Sequence, residues 1–238
     1  MNTLSELRSA VQSDLTVGSE SSLYTVATID LAINRAYSKT GGLFPWPELQ
    51  DAQKTSTVAD QEYYTYPSVW RSNSIWKLTV DDVRYGESPD GSPLSFDDYL
   101  NWKEDYPDSR DKKWANQWRR YFIWPIPTAV GTNNIHIWGM KNTETLTADG
   151  DYTIFSYSSP ECNEAIALEA SAILKSKIDE EKVAQFRSAE AIQILSVAWG
   201  RISKEKSKYE KNQPFFEVPN FYGTGSTQDL RGKFNTRV

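Results

Sequence analysis

Apolar residues recur at helical spacing near both ends of the chain and alternate at strand spacing through its middle. Leu4, Leu7, Val11 and Leu15 form one helical stripe. Thr3 and Glu6 make a T-x-x-E capping box in front of it. After the loop "TVGSESSLYT", Ile29, Ala32, Ile33, Ala36 and Tyr37 predict a second helix over residues 26–39. Gly41 and Gly42 are expected to stop it, because glycine readily takes the left-handed conformation that ends helices. A proline-clamped aromatic turn, "LFPWPEL", follows.

The pattern then changes. "AQKTSTV", "QEYYTYP", "SIWKLTV", "VRYG", "KWANQW", "RYFIWPIP" and "NIHIWGM" alternate or are rich in β-branched residues, and turn clusters such as "ESPDGSP" and "TAVGTNN" separate several of them. One short helix, "SFDDYLNWKEDY", interrupts the series, with Ser95 as its N-cap and Pro107 just past its end. Strands at this spacing predict an antiparallel sandwich or open barrel.

Helical spacing returns at Pro160, which suits a helix start. Ile166, Ala170, Ile173 and Leu174 mark one face, and several alanines allow close helix contact. Asp179 is placed to cap a last helix, roughly 45 Å long at 1.5 Å per residue, whose acidic start and basic end complement the helix dipole. Val183, Phe186, Ile194, Val197, Ala198 and Ile202 are its expected buried face. The fold class is therefore α+β. A helical bundle is built from both chain ends (1–48 and 160–211), an antiparallel β-sandwich or barrel-like domain is inserted at 49–159, and an extended C-terminal arm occupies 212–238.

Composition narrows the function. The net charge of -6 argues against wrapping duplex DNA, which needs clustered cations. The best basic patch is Arg110, Lys112 and Lys113 with Arg119 and Arg120, a solvated loop and strand edge or an exposed β-hairpin. One cysteine, Cys162, excludes an intrachain disulfide and fits assembly inside a cell. The N-terminus does not read as a signal peptide. No apolar stretch approaches the roughly 20 residues of a membrane span, so a soluble chain is expected. Nine tryptophans suit β-structure and broad contact surfaces. They also leave carbohydrate binding open.

Little in the sequence points to catalysis. His136 is the only histidine and alternates with isoleucines on an expected strand, without a nucleophile elbow. One Cys and one His cannot build an ordinary zinc site. No phosphate-binding glycine loop is present. The carboxylate pairs Asp81–Asp82 and Asp97–Asp98, and the run at 179–181, fall in a turn or at helix starts, where acidic residues serve structure. A glycosidase would need two of them flanking a cleft. No enzyme, cofactor or metal is expected.

The ordered series "AINRAYSKTGGLFPWPEL", "TSTVADQEYYTYP", "LTVDDVRYG", "PLSFDDYLNW" and "WRRYFIWPIPTAVGTNNIHIWGMKNTETL", followed by the alanine-rich helix, resembles bacteriophage head-to-tail adaptor (connector) proteins, the tail tubular protein A group of podophages. The resemblance covers about residues 4–202. It implies that Trp46 pins the β-domain to the bundle, that Tyr66-Pro67 ends a strand, that Gly86 sits in a hairpin turn, and that Pro125 and Pro127 close the strand after Trp124. It also implies a ring, generally a dodecamer, in the virion neck. That ring joins the portal protein to a downstream tail or nozzle protein after assembly in the host cytoplasm. DNA would pass through its lumen without sequence-specific binding. The alternative is a carbohydrate-binding, tail-fibre or tail-completion protein that uses exposed tryptophans.

The chain departs from the family pattern at its end. Residues 213–238 carry five aromatics, two prolines and three glycines, unlike an ordinary charged, aromatic-poor tail. Phe215, Phe216, Phe221, Tyr222 and Phe234 read as anchors that dock on the portal, with Arg231, Lys233 and Arg237 as polar contacts. Docking on a ring neighbour or back on its own domain is the alternative.

Overall fold

A computed structural model describes residues 3–15, 24–86, 91–178 and 180–209. The loop at 16–23, the turn at 87–90, the expected cap Asp179 and everything from 210 onward lie outside the described residues. The fold is mixed α and β, with two antiparallel sheets.

Helix α1 (Leu4–Leu15) buries Leu4, Leu7, Val11 and Leu15, and Thr3 Oγ1 accepts from the Glu6 N–H at 3.4 Å. Helix α2 (Val26–Leu43) is capped by Thr25 and buries Ile29, Ala32, Ile33, Ala36 and Tyr37. It does not stop at the glycines. It runs through Gly41 and Gly42 to Leu43, and neither glycine has a positive φ. Gly41 is needed for space instead: a Cβ there would meet Thr143 Cγ2 at 2.4 Å. The Arg71 guanidinium also donates to the Gly41 carbonyl at 2.6 Å, so a chain crossing closely outside the helix selects the small residue.

Helix α4 (Glu161–Lys175; α3 lies among the strands below) is the axis of the helical core, packed by α1, α2 and α5 (Glu181–Tyr209). Its Glu169 carboxylate is buried yet satisfied, by Lys39 Nζ at 2.5 Å and Ser188 Oγ at 2.7 Å, which ties α2, α4 and α5 together. The buried face of α5 differs from the one expected. Ala184, Ala191, Leu195 and Ala198 are buried, Ile194 and Ile202 are partly so, and Val183, Phe186 and Val197 are exposed. The physical reason is helix separation. Alanines seven positions apart make a narrow seam that lets two axes approach, whereas the bulky residues fit only on the outer flank.

Residues 143–159 pack on the helices rather than on the sheets. The Leu4 and Ser5 N–H groups donate to Asp151 O and Asp149 O at 3.0 and 3.1 Å. The Asn34 side chain brackets Leu146, donating to its O at 3.0 Å and accepting from its N–H at 2.8 Å. Leu146 and Phe155 enter the helical core. Trp46 is fully buried in that same core, its Nε1 donating to Thr40 O at 2.9 Å and its ring meeting Phe44, Phe155 and Trp199. It thus fixes the crossing from α2 into the first strand.

The strands are β1 (Gln50–Thr55), β2 (Tyr63–Thr65), β3 (Lys77–Val80), β4 (Val83–Tyr85), β5 (Lys113–Gln117), β6 (Arg120–Trp124) and β7 (Ile135–Met140). One sheet has the order β1-β7-β3-β4 and the other β2-β6-β5. Ile135 and Ile137 of β7, Leu78 and Val80 of β3, Tyr121 and Ile123 of β6, and Trp114 of β5 share a second core. The period-two alternation is plain in β7, where His136 and Trp138 face away from that core. Helix α3 (Phe96–Asp105) precedes β5 and packs on it; the Ser95 side chain caps it, accepting from the Asp98 N–H at 3.1 Å.

Tyr66 follows the end of β2, and β6 closes at Trp124, where the bond to Pro125 is cis. Gly86, expected in a hairpin turn, borders the turn at 87–90, which lies outside the described residues, and is not part of the β3–β4 turn. The β3–β4 turn is Asp81-Asp82, with φ of 49° and 60°, and Gly86 follows β4 at φ 126° against the backbone of Gly91 and Ser92. Aspartates tolerate the left-handed turn, so the glycine is free for a tighter backbone crossing.

Candidate interaction surfaces

The chemistry-bearing residues are engaged in structure. Asp81 Oδ1 accepts from Asn134 Nδ2 at 3.1 Å. Asp98 and Ser95 close a reciprocal cap at the start of α3, and Glu180 pairs with Lys175 at 3.6 Å. His136 lies 3.2 Å from the Asn133 carbonyl oxygen, on the outer side of β7. Cys162 is fully buried, and burial pushes its thiol up to about 12, with Glu161 and Glu48 adding to the effect. Among the described residues no group of three His, Cys, Asp or Glu is placed to hold a metal ion.

The basic run is divided by the fold. β5 is an edge strand, and Arg110 and Lys112 are exposed just before it. The cations on the strands lie over rings: Lys113 Nζ is 6.0 Å from the Trp102 centroid and Arg120 lies 4.8 Å from that of Tyr63, while Lys103 of α3 has its Nζ 5.4 Å from that of Trp124. These contacts are worth about 0.5–1 kcal/mol each when exposed. They occupy ring faces that a stacked sugar would need.

The tryptophans divide by depth. Trp46, Trp70 and Trp114 are fully buried, and Trp76, Trp102, Trp124, Trp138 and Trp199 are half-buried. Trp118 alone is exposed, at 76%. It sits with Arg119 in the two-residue loop joining β5 to β6, and its φ is 57°. A bulky side chain in the left-handed region costs about 1–2 kcal/mol, and glycine or asparagine is the ordinary occupant of such a loop.

The surroundings hold Trp118 in place. The Arg119 guanidinium donates to the carbonyls of Trp70 (2.9 Å), Pro67 (2.8 Å) and Ser68 (3.2 Å). The Asn73 N–H donates to Trp118 O at 3.0 Å, and the Tyr66 N–H to Arg119 O at 2.9 Å. The loop backbone is thereby braced, and the indole it carries is exposed to solvent.

A second feature lies on the helices. Phe186 and Val197 of α5 are 66% and 69% exposed. Beside Val197, an open depression of about 430 Å³ is lined by Glu161 and Glu164 of α4 and by Glu190, Gln193, Ile194, Val197, Ala198 and Arg201 of α5. Arg201 pairs with Glu161, and Glu190 with Arg187. A neighbouring depression between α1 and α4 shares Glu164.

No protein-family model matches the chain, and no curated protein is significantly similar to it. The anchors expected from the sequence, Phe215, Phe216, Phe221, Tyr222, Arg231, Lys233, Phe234 and Arg237, all lie outside the described residues. Two surface features escaped the sequence reading. The stripe on α5 was assigned to the core. Trp118 did carry a signal, since it falls between two strand patterns where a turn residue belongs.

Proposed function

We propose that the chain is a structural head-to-tail adaptor of a tailed bacteriophage. It forms a ring, a dodecamer by the family resemblance, in the virion neck. The ring joins the portal protein to the downstream tail or nozzle protein and continues the DNA conduit without sequence-specific binding. It assembles in the host cytoplasm. The helical units at 1–48 and 160–211, with the segment 143–159 packed on them, face the portal, the sheets between residues 49 and 142 form a sandwich-like inserted domain, and the arm at 212–238 reaches the portal through its aromatic anchors.

One observation carries the reading: large apolar side chains, Trp118, Phe186 and Val197, are presented to solvent by well-braced elements. Carboxylates and the histidine meanwhile serve turns and caps. A surface of this kind suits partner contact, in which a few buried aromatics dominate the energy. Fully burying one such side chain contributes about 1.5–3 kcal/mol. Ordering an arm costs roughly 1–2 kcal/mol per residue in backbone entropy, so one arm holds weakly, and a ring of arms holds through multivalency.

The second reading, a carbohydrate-binding or tail-fibre component, draws on Trp118 as an exposed ring. A pull-down with the cognate portal ring and a glycan array, run on the full chain and on a chain ending at Asn212, separates the two. Portal capture by the full chain supports the adaptor. Glycan binding abolished by Trp118→Ala, with no portal capture, supports the alternative.

A further inference from the structure

We infer that the Trp118 hairpin of one copy seats in the α4–α5 depression of a second copy, so that self-association is head-to-tail. The inference rests on the ring proposed above and names its two faces. In the ring proposed above, each copy presents its projecting indole to one neighbour and its open depression to the other, instead of exchanging both with a single partner across a two-fold axis. Such a heterologous contact propagates, and it closes into a ring when the rotation per copy divides a full turn.

Charge favours this occupant. The hairpin carries Arg119 and Arg120, neither paired with a carboxylate: Arg119 is held by three carbonyls and Arg120 lies over Tyr63. In the depression Glu161 pairs with Arg201 and Glu190 with Arg187, which leaves Glu164 as the carboxylate open to an incoming cation. Glu164 is exposed and has no ion-pair partner among the described residues. Ile194, Val197 and Ala198 are its apolar lining residues. The braced backbone at Trp118 fits the same role, because a loop already fixed in place loses little backbone freedom when it docks.

The test uses the full chain, measured by native mass spectrometry alone and with the portal ring. Trp118→Ala and Val197→Asp should each weaken self-association at least about thirtyfold. Both sites are exposed, so the folded subunit is retained, and circular dichroism checks this. Mixing the two variants is the decisive step. The Trp118→Ala copy keeps its depression and the Val197→Asp copy keeps its knob, so one intact contact remains and the mixture should form dimers without rings.

Independently, Arg120→Glu and Glu164→Arg should each weaken the assembly, and the double variant should recover it. Rings formed by either single variant at wild-type strength, or a mixture that stays monomeric, would overturn the knob-and-groove contact while leaving the adaptor intact. Wild-type chains that fail to associate both alone and on the portal would overturn the ring and this contact together.

Discussion

Gly41 and Gly42 should respond to alanine in opposite ways. Both lie inside α2, so each substitution gains the roughly 1 kcal/mol by which alanine exceeds glycine in a helix interior. Gly42 has open space around its missing Cβ, and the gain there is unopposed. At Gly41 the new Cβ meets Thr143 Cγ2 at 2.4 Å and Leu49 Cδ1 at 3.5 Å. The first distance is below any real contact. Thr143 is β-branched with a stiff χ1, and overpacking of this kind costs about 1–3 kcal/mol. The helix term cancels between the two sites, so Gly41→Ala should be less stable than Gly42→Ala by about 1–3 kcal/mol. Relative to wild type, Gly42→Ala should be stabilising by about 0.5–1 kcal/mol. In a Thr143→Ala background the clash is gone, and Gly41→Ala should become stabilising too. Urea midpoints followed by circular dichroism read these shifts, provided the slope is unchanged. Equal destabilisation by both alanines would refute the reasoning, because that is the outcome if the glycines end the helix in a left-handed cap.

Three other outcomes follow from the packing. Cys162, with its thiol pushed up to about 12 by burial, should not react with a thiol reagent at neutral pH until urea unfolds the chain; rapid labelling of native protein would contradict its burial. Trp46→Ala should destabilise by about 3–5 kcal/mol, seen as a lowered urea midpoint, since the indole touches Phe44, Phe155 and Trp199 and closes one hydrogen bond. Asp151 has its carboxyl held below the ordinary 3.8 by N–H groups of Ala148 and Thr147. Its folded value is depressed, so its contribution is present above the unfolded value and lost as pH falls through the folded one. Carbon-detected NMR titration should therefore show it titrating below pH 3.8, and a normal value would remove the claim.

Most of the fold could be read from periodicity. All seven strand segments, the Ser95 cap and the stripe of α1 are legible because each is a local pattern of residue types, even where its pairing partner lies far along the chain. The errors arose where a distant segment decided the outcome. Gly41 looked like a helix stop, yet its small size answers the approach of Thr143, over a hundred positions along the chain. Val183, Phe186 and Val197 looked like core, yet the neighbouring helix needed the alanine seam. The interaction surfaces were the least legible part. An apolar residue on a helix reads as buried whether it faces its own core or another molecule, and only the packed fold separates the two.

The most direct test of the adaptor is the mass of the assembly formed when the full chain is mixed with its cognate portal ring. The expected result is a single complex in which a closed ring of this chain is added to the portal, with one copy per binding position. A portal that keeps its own mass at saturating concentrations of the chain would contradict the adaptor reading.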